Sequence, residues 1–580
     1  MLYRYWKKRD NCRCITEVNL RNFGIKDKEE IDVWDKKFKD GSYFIYNMDK
    51  AVSLSKKLIN DGYSFTVMGD YDADGITGTT ILLKGLASLG IKADYIIPDR
   101  LTDGYGAKTY HVEMAKESPK KCLIFVDNGI SCIDALKRAK EKGYRVIILD
   151  HHTPEDDEAA TLSDVVVDPE AEEVLYGEKK SDFDSYCGAG LAFSFIRKLT
   201  DDGSLLNELL AFAAIGTVCD VMPLREENFC IVKYGLAVIG SRRGSAPGLY
   251  ALTTELKLSG AEISSKDLGF SYGPIINAAS RMKGSAGVDA VIKLFMYDGD
   301  YTKKLKAADN LIKVNAERKD IQNTGILVAE RIINEQGCSS DRPLIVYIPD
   351  TNEGIVGIIA GNISEQYRIP SIVLTDSPDE EGVLRGSGRS FGNYNMIEHL
   401  GRASDILLTY GGHPGACGLS LKADDLETLR KTLADDFPSD YEASDIDTLE
   451  YDLEIRACDV DRAVECTAPL APFGEGHREI VFKIDGFTPI PSPDTVNVLS
   501  NGTSVKLVGE KANAFAFNTR VAESIPRDVK KADIIGVVSK NYFMGRESLK
   551  IEILDLCDKT EEKPKTTPFA EKLRRMAEEN

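Results

Sequence analysis

The run Val67-Met68-Gly69-Asp70-Tyr71-Asp72-Ala73-Asp74-Gly75-Ile76-Thr77-Gly78-Thr79-Thr80 places three acids between two apolar segments. Residues 64–68 read as a short buried strand and 76–89 as a helix, so Asp70, Asp72 and Asp74 crowd the turn between them. Neighbouring like charges cost free energy unless a cation offsets them, and residues two apart on extended backbone project to the same side. Asp70 and Asp72 are therefore expected to reach one metal centre. Asp74 is expected to cap the helix, with Gly75 allowing the tight turn. The letters D-x-D-x-D-G also open a calcium-binding EF-hand. That hand needs a helix before its loop and a Glu six residues after its Gly, whereas here a strand precedes and Ile81 stands at that distance.

Outward from this turn, apolar runs at 65–68, 95–98, 123–126 and 146–149 are each followed by a helical stretch. Such alternation implies a mostly parallel sheet covered on both faces, with ligands gathered at the carboxyl ends of its strands. Acids fall at those ends: Asp70, then Asp127 in Val126-Asp127-Asn128-Gly129, then Asp150-His151-His152. A mainly helical region, 188–295, adds Asp220 at the end of Ile215-Gly216-Thr217-Val218-Cys219-Asp220. A long helix over 301–335 reads as a connector, a smaller α/β unit follows over 343–437, and 448–556 alternates short strands with turn signals at Asn501-Gly502 and Gly545-Arg546, which suggests a small β-barrel. In the charged tail, Phe569, Leu573 and Met576 stand at helical spacing and read as a terminal helix.

The chain has 580 residues, enough for three or four domains. No apolar run reaches the length of a membrane span and the first residues carry no apolar signal core, so a cytoplasmic protein is expected. Twelve cysteines without any C-x-x-C fit reduced thiols rather than a zinc ribbon or a disulfide framework. A formal charge of −20 argues against a nucleic-acid partner at first sight, yet net charge is silent about local patches such as Arg242-Arg243 or Lys303, Lys304, Lys306, Lys313, Arg318 and Lys319. Either patch could equally be a solvated face.

The chemical inventory is Asp70, Asp72, Asp127, His151, His152 and Asp220. Oxygen donors with one or two imidazoles suit Mn²⁺ or Mg²⁺ better than a structural zinc. Enough carboxylates for two ions, one of them able to bridge, points to in-line displacement at phosphorus. No P-loop or dinucleotide fingerprint stands beside these acids, which excludes nucleotide-driven or hydride chemistry.

Gly69-Asp70-Tyr71-Asp72-Ala73-Asp74-Gly75, Val126-Asp127-Asn128-Gly129, Asp150-His151-His152 and Gly216-Thr217-Val218-Cys219-Asp220 resemble, in order, the four motifs of the DHH phosphoesterases. Pro98-Asp99-Arg100 with Asp103-Gly104-Tyr105-Gly106, the run 273–282, Ser387-Gly388-Arg389-Ser390, Gly411-Gly412-His413 and Pro472-Phe473-Gly474-Glu475-Gly476 resemble its RecJ branch, bacterial exonucleases that degrade single-stranded DNA from the 5′ end in repair and recombination. The resemblance covers about residues 45–555. It implies an α/β, multidomain fold: an N-terminal segment 1–44, a DHH-type parallel-sheet domain 45–300, a connecting helix 301–338, a smaller DHHA1 α/β domain 339–440, an OB-like nucleic-acid-binding barrel 441–560 and a charged tail 561–580.

It further implies that Asp127 bridges two Mn²⁺ or Mg²⁺ ions, with Asp72, His151 and Asp220 on one and Asp70 on the other. His152 would lie close to the scissile phosphate and Asp150 would orient a histidine. Arg100, Asn277, Arg281, Ser387, Arg389 and His413 would hold substrate, with Gly388 letting backbone approach the phosphates. Two departures stand out: Met68 and Asn352 occupy positions where relatives carry His. The implied substrate is single-stranded DNA, with a single-strand-binding protein or a helicase as candidate partner and a monomer expected. The alternatives are a DHH-type phosphodiesterase of short RNA, bisphosphate nucleotides or cyclic dinucleotides, and an inactive DNA-binding scaffold. The β-rich stretch speaks for a long single strand, through bases and aromatics at Lys506, Lys511, Lys540, Tyr542, Phe543, Arg546 and Lys550.

Overall fold

Lys121–Val126 is buried at every position, as befits the middle strand of a sheet covered on both faces. In the computed structural model, which describes residues 3, 5–241, 246–282, 287–339, 341–442, 448–490, 496–499, 504–543 and 546–560, this strand centres a five-stranded sheet. The order is Asp94–Ile96, Ser64–Met68, Lys121–Val126, Arg145–Leu149, Val165–Val167, and every pairing is parallel. The first strand of this sheet in the chain thus has the second on one side and the third on the other. Strand order reverses there, and the crevice beyond the carboxyl ends at such a point is where open α/β sheets take ligands. Asp70 and Asp127 flank it. One face of the sheet buries Met68, Leu123, Phe125, Val146 and Ile148. Helix Ala73–Ser88 packs against Gly188–Leu199 and Gly203–Cys219.

Helix Tyr301–Gln336 is 36 residues long, about 54 Å at 1.5 Å per residue. Asp300 caps its start through the Lys303 N–H, and Gly337, with φ 66°, ends it. It is a packed spine rather than a bare connector: Ala308, Leu311, Gly325, Ala329 and Ile333 are buried, the first half against Pro247–Glu255 and Gly273–Arg281, the second against Glu353–Tyr367. Beyond it, a five-stranded mixed sheet runs Leu407–His413, Ala416–Lys422, Val383–Arg389, Ser371–Asp376, Leu344–Tyr347, with only the last pair parallel.

The chain divides into two compact units whose limits cut across the linear order. One comprises Asn22–Asp445 with Ala471–Arg478, the other Met1–Arg21, Ile446–Leu470 and Glu479–Asn580. The first 44 residues, expected as one segment, are therefore split between units. Tyr5–Lys8 pairs in parallel with Thr448–Tyr451, and the Asp452 carboxylate, fully buried, receives Arg9 Nη1 and Arg21 Nη2, each at 2.5 Å, and the Val481 N–H at 2.8 Å. In the same unit the expected barrel strands are found as one seven-stranded sheet, ordered Leu453–Arg456, Phe482–Phe487, Ala532–Phe543, Arg546–Asp558, Ala512–Ala516, Ser504–Leu507, Val496–Leu499. Among the described residues no pairing closes its two edges. The turn signals Asn501-Gly502 and Gly545, Arg242-Arg243 and the tail stripe at 569–576 lie outside the described residues.

Segment Ala471–Arg478 belongs with the larger unit: its Glu475 carbonyl accepts the Leu224 N–H at 2.7 Å, and the His477 ring stacks on Phe23 with centroids 3.5 Å apart. No helix among the described residues is long and apolar enough to cross a membrane.

Removing the buried anion that pairs Arg9 and Arg21 should weaken only the smaller unit. Asp452→Ala is expected to cost about 3 kcal/mol, the low end for breaking a buried ion pair because both guanidiniums keep some solvent. Denaturant unfolding followed by Trp6 fluorescence in a Trp34→Phe background checks this, since the Trp6 indole donates to Asp555 at 2.7 Å inside that unit.

Candidate metal centre

Strand Ser64–Met68 delivers its chain through Gly69 to Asp70, and helix Ala73–Ser88 begins three residues later. Asp72, not Asp74, caps that helix: its Oδ1 accepts the N–H groups of Asp74 and Gly75 at 3.0 and 3.1 Å. Asp74 turns the other way and is fully buried, where it accepts the Gly188 and Ala189 N–H groups at 2.6 and 2.9 Å. The helix cap goes to the residue with extended backbone at the boundary, φ −94° and ψ −174°, which is Asp72. Asp74 instead fastens the start of Gly188–Leu199 to the metal loop. Close approach makes that possible: a Cβ on Gly188 would lie 2.6 Å from Asp127 Cβ, and one on Gly216 would lie 2.5 Å from Asp74 Oδ1.

Asp127 stands directly after the middle strand with φ 60°, a conformation uncommon outside glycine. His151 Nε2 lies 3.1 Å from Asp127 Oδ1, 3.6 Å from Asp220 Oδ2 and 3.9 Å from Asp74 Oδ2. Three donor groups result, Asp70 with Asp72 and Asp127, Asp74 with His151 and Asp220, and Asp127 with Asp150, His151 and His152, all within 4.8 Å inside each group. Asp150, expected to orient a histidine, is fully buried and lies 2.8 Å from His152 Nδ1 through Oδ1, while Oδ2 accepts the Ile130 N–H at 2.9 Å. Asp168 is absent from the sequence-based inventory, although Val165–Val167 followed by an acid repeats the signal that marks Asp127 and Asp150. It is buried beside them with Oδ1 on the Ala171 N–H at 3.1 Å and Oδ2 unpartnered.

Burial raises the Asp70 carboxyl well above its ordinary range, and the Asp72 charge adds to that. Burial and then the charges of Asp74, Asp72, Asp70 and Asp220 do the same to Asp127. Asp220 is pushed up to about 8 by burial and by Asp74 and Asp72. Burial lowers His151. For Asp150 and His152 burial is outweighed by their mutual attraction, which holds the carboxyl below its ordinary range and the imidazole up at about 9. Asp70 Oδ1 and Asp220 Oδ2 are buried without a hydrogen-bond partner. Crowded acids with unsatisfied oxygens and a neutral imidazole are what hard divalent cations bind, so these donors fit Mn²⁺ or Mg²⁺.

Beside the acids lies the opposite charge. The Arg100 guanidinium sits 4.7 Å over the ring of Tyr71, which stands between Asp70 and Asp72 in sequence. Arg281 donates to the Gly354 carbonyl at 3.1 Å, and Arg389 to Ser387 Oγ and the Gly388 carbonyl, both at 2.8 Å. Burial and then the like charges of Arg100, Arg318 and Arg389 push Arg281 down, yet a guanidinium keeps its proton, so the pocket calls for an anion. Among the described residues none of these four arginines is in an ion pair. Arg318, on the spine helix, is buried and bonded to Asn315 and Gln322 at 2.9 and 2.8 Å, a role that its run of exposed-looking lysines conceals.

The DHH family, N-terminal domain, matches residues 64–217 and the DHHA1 domain matches 341–437. The single-stranded-DNA-specific exonuclease RecJ of Haemophilus influenzae is 30% identical over 543 residues, covering 87% of this chain and 90% of that protein. The chain belongs to the RecJ family. The RecJ of Bacillus subtilis is 32% identical over 522 residues, 88% of this chain but 63% of that protein, so this chain spans somewhat under two thirds of its length. A crystal structure of RecJ with Mn²⁺ from Thermus thermophilus superposes with TM-score 0.71 at 25% identity, over 95% of this chain and 76% of that one. A further structure of exonuclease RecJ bound to manganese gives 0.58 at 29% identity, over 69% of this chain and 96% of that one.

Against the RecJ resemblance several residues take unexpected places. Asn277 accepts the Ala73 N–H through Oδ1 at 2.7 Å, so its observed contact is with the metal loop. A Cβ on Gly388 would meet Cys417 Sγ at 2.7 Å and Met396 Sδ at 2.9 Å. His413 is exposed at the end of Leu407–His413, with Nδ1 on the Gly415 N–H at 3.2 Å. Met68 is buried in the sheet core, and Asn352 caps helix Glu353–Tyr367 through the Gly354 N–H at 2.8 Å.

A carboxyl whose pKa is raised by folding keeps its proton longer in the native state, so stability is present at low pH and lost as pH rises through the folded value. With Asp70, Asp127 and Asp220 all raised, EDTA-treated protein should melt at a lower temperature at pH 8.5 than at pH 6. Mn²⁺ should add more to the melting temperature at pH 8.5, and Asp127→Asn should flatten the EDTA-treated slope; thermal melts at both pH values check all three.

Proposed function

We propose that the chain is a metal-dependent exonuclease that hydrolyses single-stranded DNA from its 5′ end and releases 5′-nucleotides. The observation that carries this reading is the cluster of buried acids beside guanidiniums that have no carboxylate partner. When bound, a pair of Mn²⁺ or Mg²⁺ ions would lower the pKa of a coordinated water and offset charge on the phosphoryl oxygens. Asp70, Asp72, Asp127, His151 and Asp220 would hold the pair, with Asp127 between the two sites and Asp74 keeping the loop in place. Arg100, Arg281, Ser387 and Arg389 would bind the terminal 5′-phosphate, because guanidinium forks match phosphate oxygens and a deprotonation-resistant cation suits a dry pocket. With the next phosphate over the acids, cleavage removes one nucleotide and reads the end as 5′. Asp150 holds His152 through Nδ1, which would leave Nε2 to meet a phosphate oxygen.

The smaller unit supports a long substrate. Alternate residues of Ala512–Ala516 and its extension point outward, and the Phe515 and Phe517 rings stack 5.7 Å apart at 5°. Lys506 lies 5.8 Å from the centroid of Phe515 and Lys550 5.5 Å from that of Phe517. An aromatic ledge edged by cations is suited to unpaired bases and their phosphates. Lys511, Lys540 and Lys550 are paired with Asp461, Glu547 and Glu552 at 2.5, 3.5 and 3.7 Å.

Two measurements test the reading. Arg389→Ala should erase a preference for 5′-phosphorylated over 5′-hydroxyl strands, a loss of about 1.5 to 3 kcal/mol, and nucleotide release from a 3′ label first would refute the assigned polarity. Cutting the chain after about residue 440 would also remove Ala471–Arg478 from the larger unit, so the ledge is better tested in the full chain. Phe515→Ala with Phe517→Ala should weaken binding of a long single strand by about 1 to 3 kcal/mol per lost stack, while Lys506→Gln with Lys550→Gln should reduce the salt slope by about 1 to 2.

A further inference from the structure

Tyr105 stands between Gly104 and Gly106, whose φ angles are 67° and 79°. A Cβ on Gly106 would lie 2.8 Å from Cys132 Sγ, so only glycine lets the chain pass there and present the tyrosine to the site. Its hydroxyl lies 3.2 Å from the Asp127 carbonyl oxygen and 2.9 Å from His152 Nδ1, and its ring centroid is 4.9 Å from that of His152. Asp150 Oδ1 reaches the same Nδ1 at 2.8 Å.

The protons can be assigned by elimination. A carbonyl oxygen only accepts, so the single hydroxyl hydrogen goes to Asp127. The phenol oxygen is then an acceptor toward Nδ1, as the Asp150 carboxylate is, and both are served by one Nδ1–H. The chain of contacts runs from the Asp127 carbonyl through the Tyr105 hydroxyl and the His152 ring to Asp150. It fixes the ring's tilt from two sides and leaves Nε2 outside that chain. The same hydroxyl satisfies the carbonyl of a residue held at φ 60°, a backbone conformation that persists only where its surroundings hold it.

We infer that Tyr105 is a positioning residue for hydrolysis, which ties the backbone of Asp127 to the His152 imidazole so that acid cluster and ring keep one geometry. This rests on the reading of His152 given above. Tyr105 does not need to touch the substrate to do so, and its loss should appear in turnover rather than in substrate affinity.

Tyr105→Phe keeps the ring beside His152 and deletes only the hydroxyl. On a 5′-phosphorylated single strand with Mn²⁺, kcat should fall about tenfold, the worth of one aligned hydrogen bond, with KM within about twofold of the parent. Tyr105→Ala, which also removes the ring, should fall at least as far. In a His152→Gln background the added loss from Tyr105→Phe should shrink to less than about twofold, because two residues acting as one unit do not add. A rise in KM with unchanged kcat, an unchanged kcat in Tyr105→Phe, or the full tenfold loss repeated in His152→Gln would each overturn the positioning role. Parent-like turnover in His152→Gln alone would overturn the reading of His152 and this inference with it, whereas a slow His152→Gln beside a fast Tyr105→Phe brings down the tyrosine only. If His152→Gln is too slow to measure, the kcat and KM of Tyr105→Phe decide.

Discussion

Electrostatic repulsion among Asp70, Asp72, Asp74, Asp127 and Asp220 is the constraint on which the rest of this fold depends. A protein gains nothing in stability by crowding five acids, three of them buried and two half-buried, at neighbouring strand and helix ends, and each one raises the cost of ionising the others. What keeps them together is packing elsewhere in the unit. The parallel sheet supplies rigid strand ends, glycines at 188 and 216 remove the Cβ atoms that would force the segments apart, and two backbone amides at the start of Gly188–Leu199 hold Asp74. The cluster is thus preorganised for cations before any arrive.

Across from it, half-buried guanidiniums stand without carboxylates. The formal charge of −20 hides this arrangement, because an average over 580 residues cannot register a few arginines withdrawn from solvent. Arg281 and Arg389 come from the two sides of the long spine helix in sequence, and Gly357 makes room for the second: a Cβ there would lie 2.9 Å from Arg389 Nη2. Cation-seeking and anion-seeking groups thus stand side by side.

Much of this was legible in the sequence. Strands that end in acids announce themselves by apolar runs, and Asp70, Asp127, Asp150 and His151 fall where those runs predict. Asp168 shows the same signal in weaker form, because its strand is only three residues long. The exchange of roles between Asp72 and Asp74 was not legible, since capping depends on which of two acids carries extended backbone, and spacing does not tell them apart. Asn277 reads as a polar residue in a groove until the Ala73 amide is seen to need an acceptor. The pairing of Tyr5–Lys8 with Thr448–Tyr451 lies beyond any local pattern, because short strands of ordinary composition carry no record of a partner so distant.

Neither unit is a contiguous piece of the polypeptide, and this has a consequence for how the protein comes off the ribosome. Arg21 is made 431 residues before the Asp452 that receives it, so the N-terminal arm must wait through synthesis of Asn22–Asp445 before that buried anion reaches it. The larger unit in turn waits for Ala471–Arg478 before Phe23 and Leu224 gain their last neighbours. Completion of the larger unit is thereby delayed until Arg478 has been made, so that a nascent fragment released before that point lacks part of both structures.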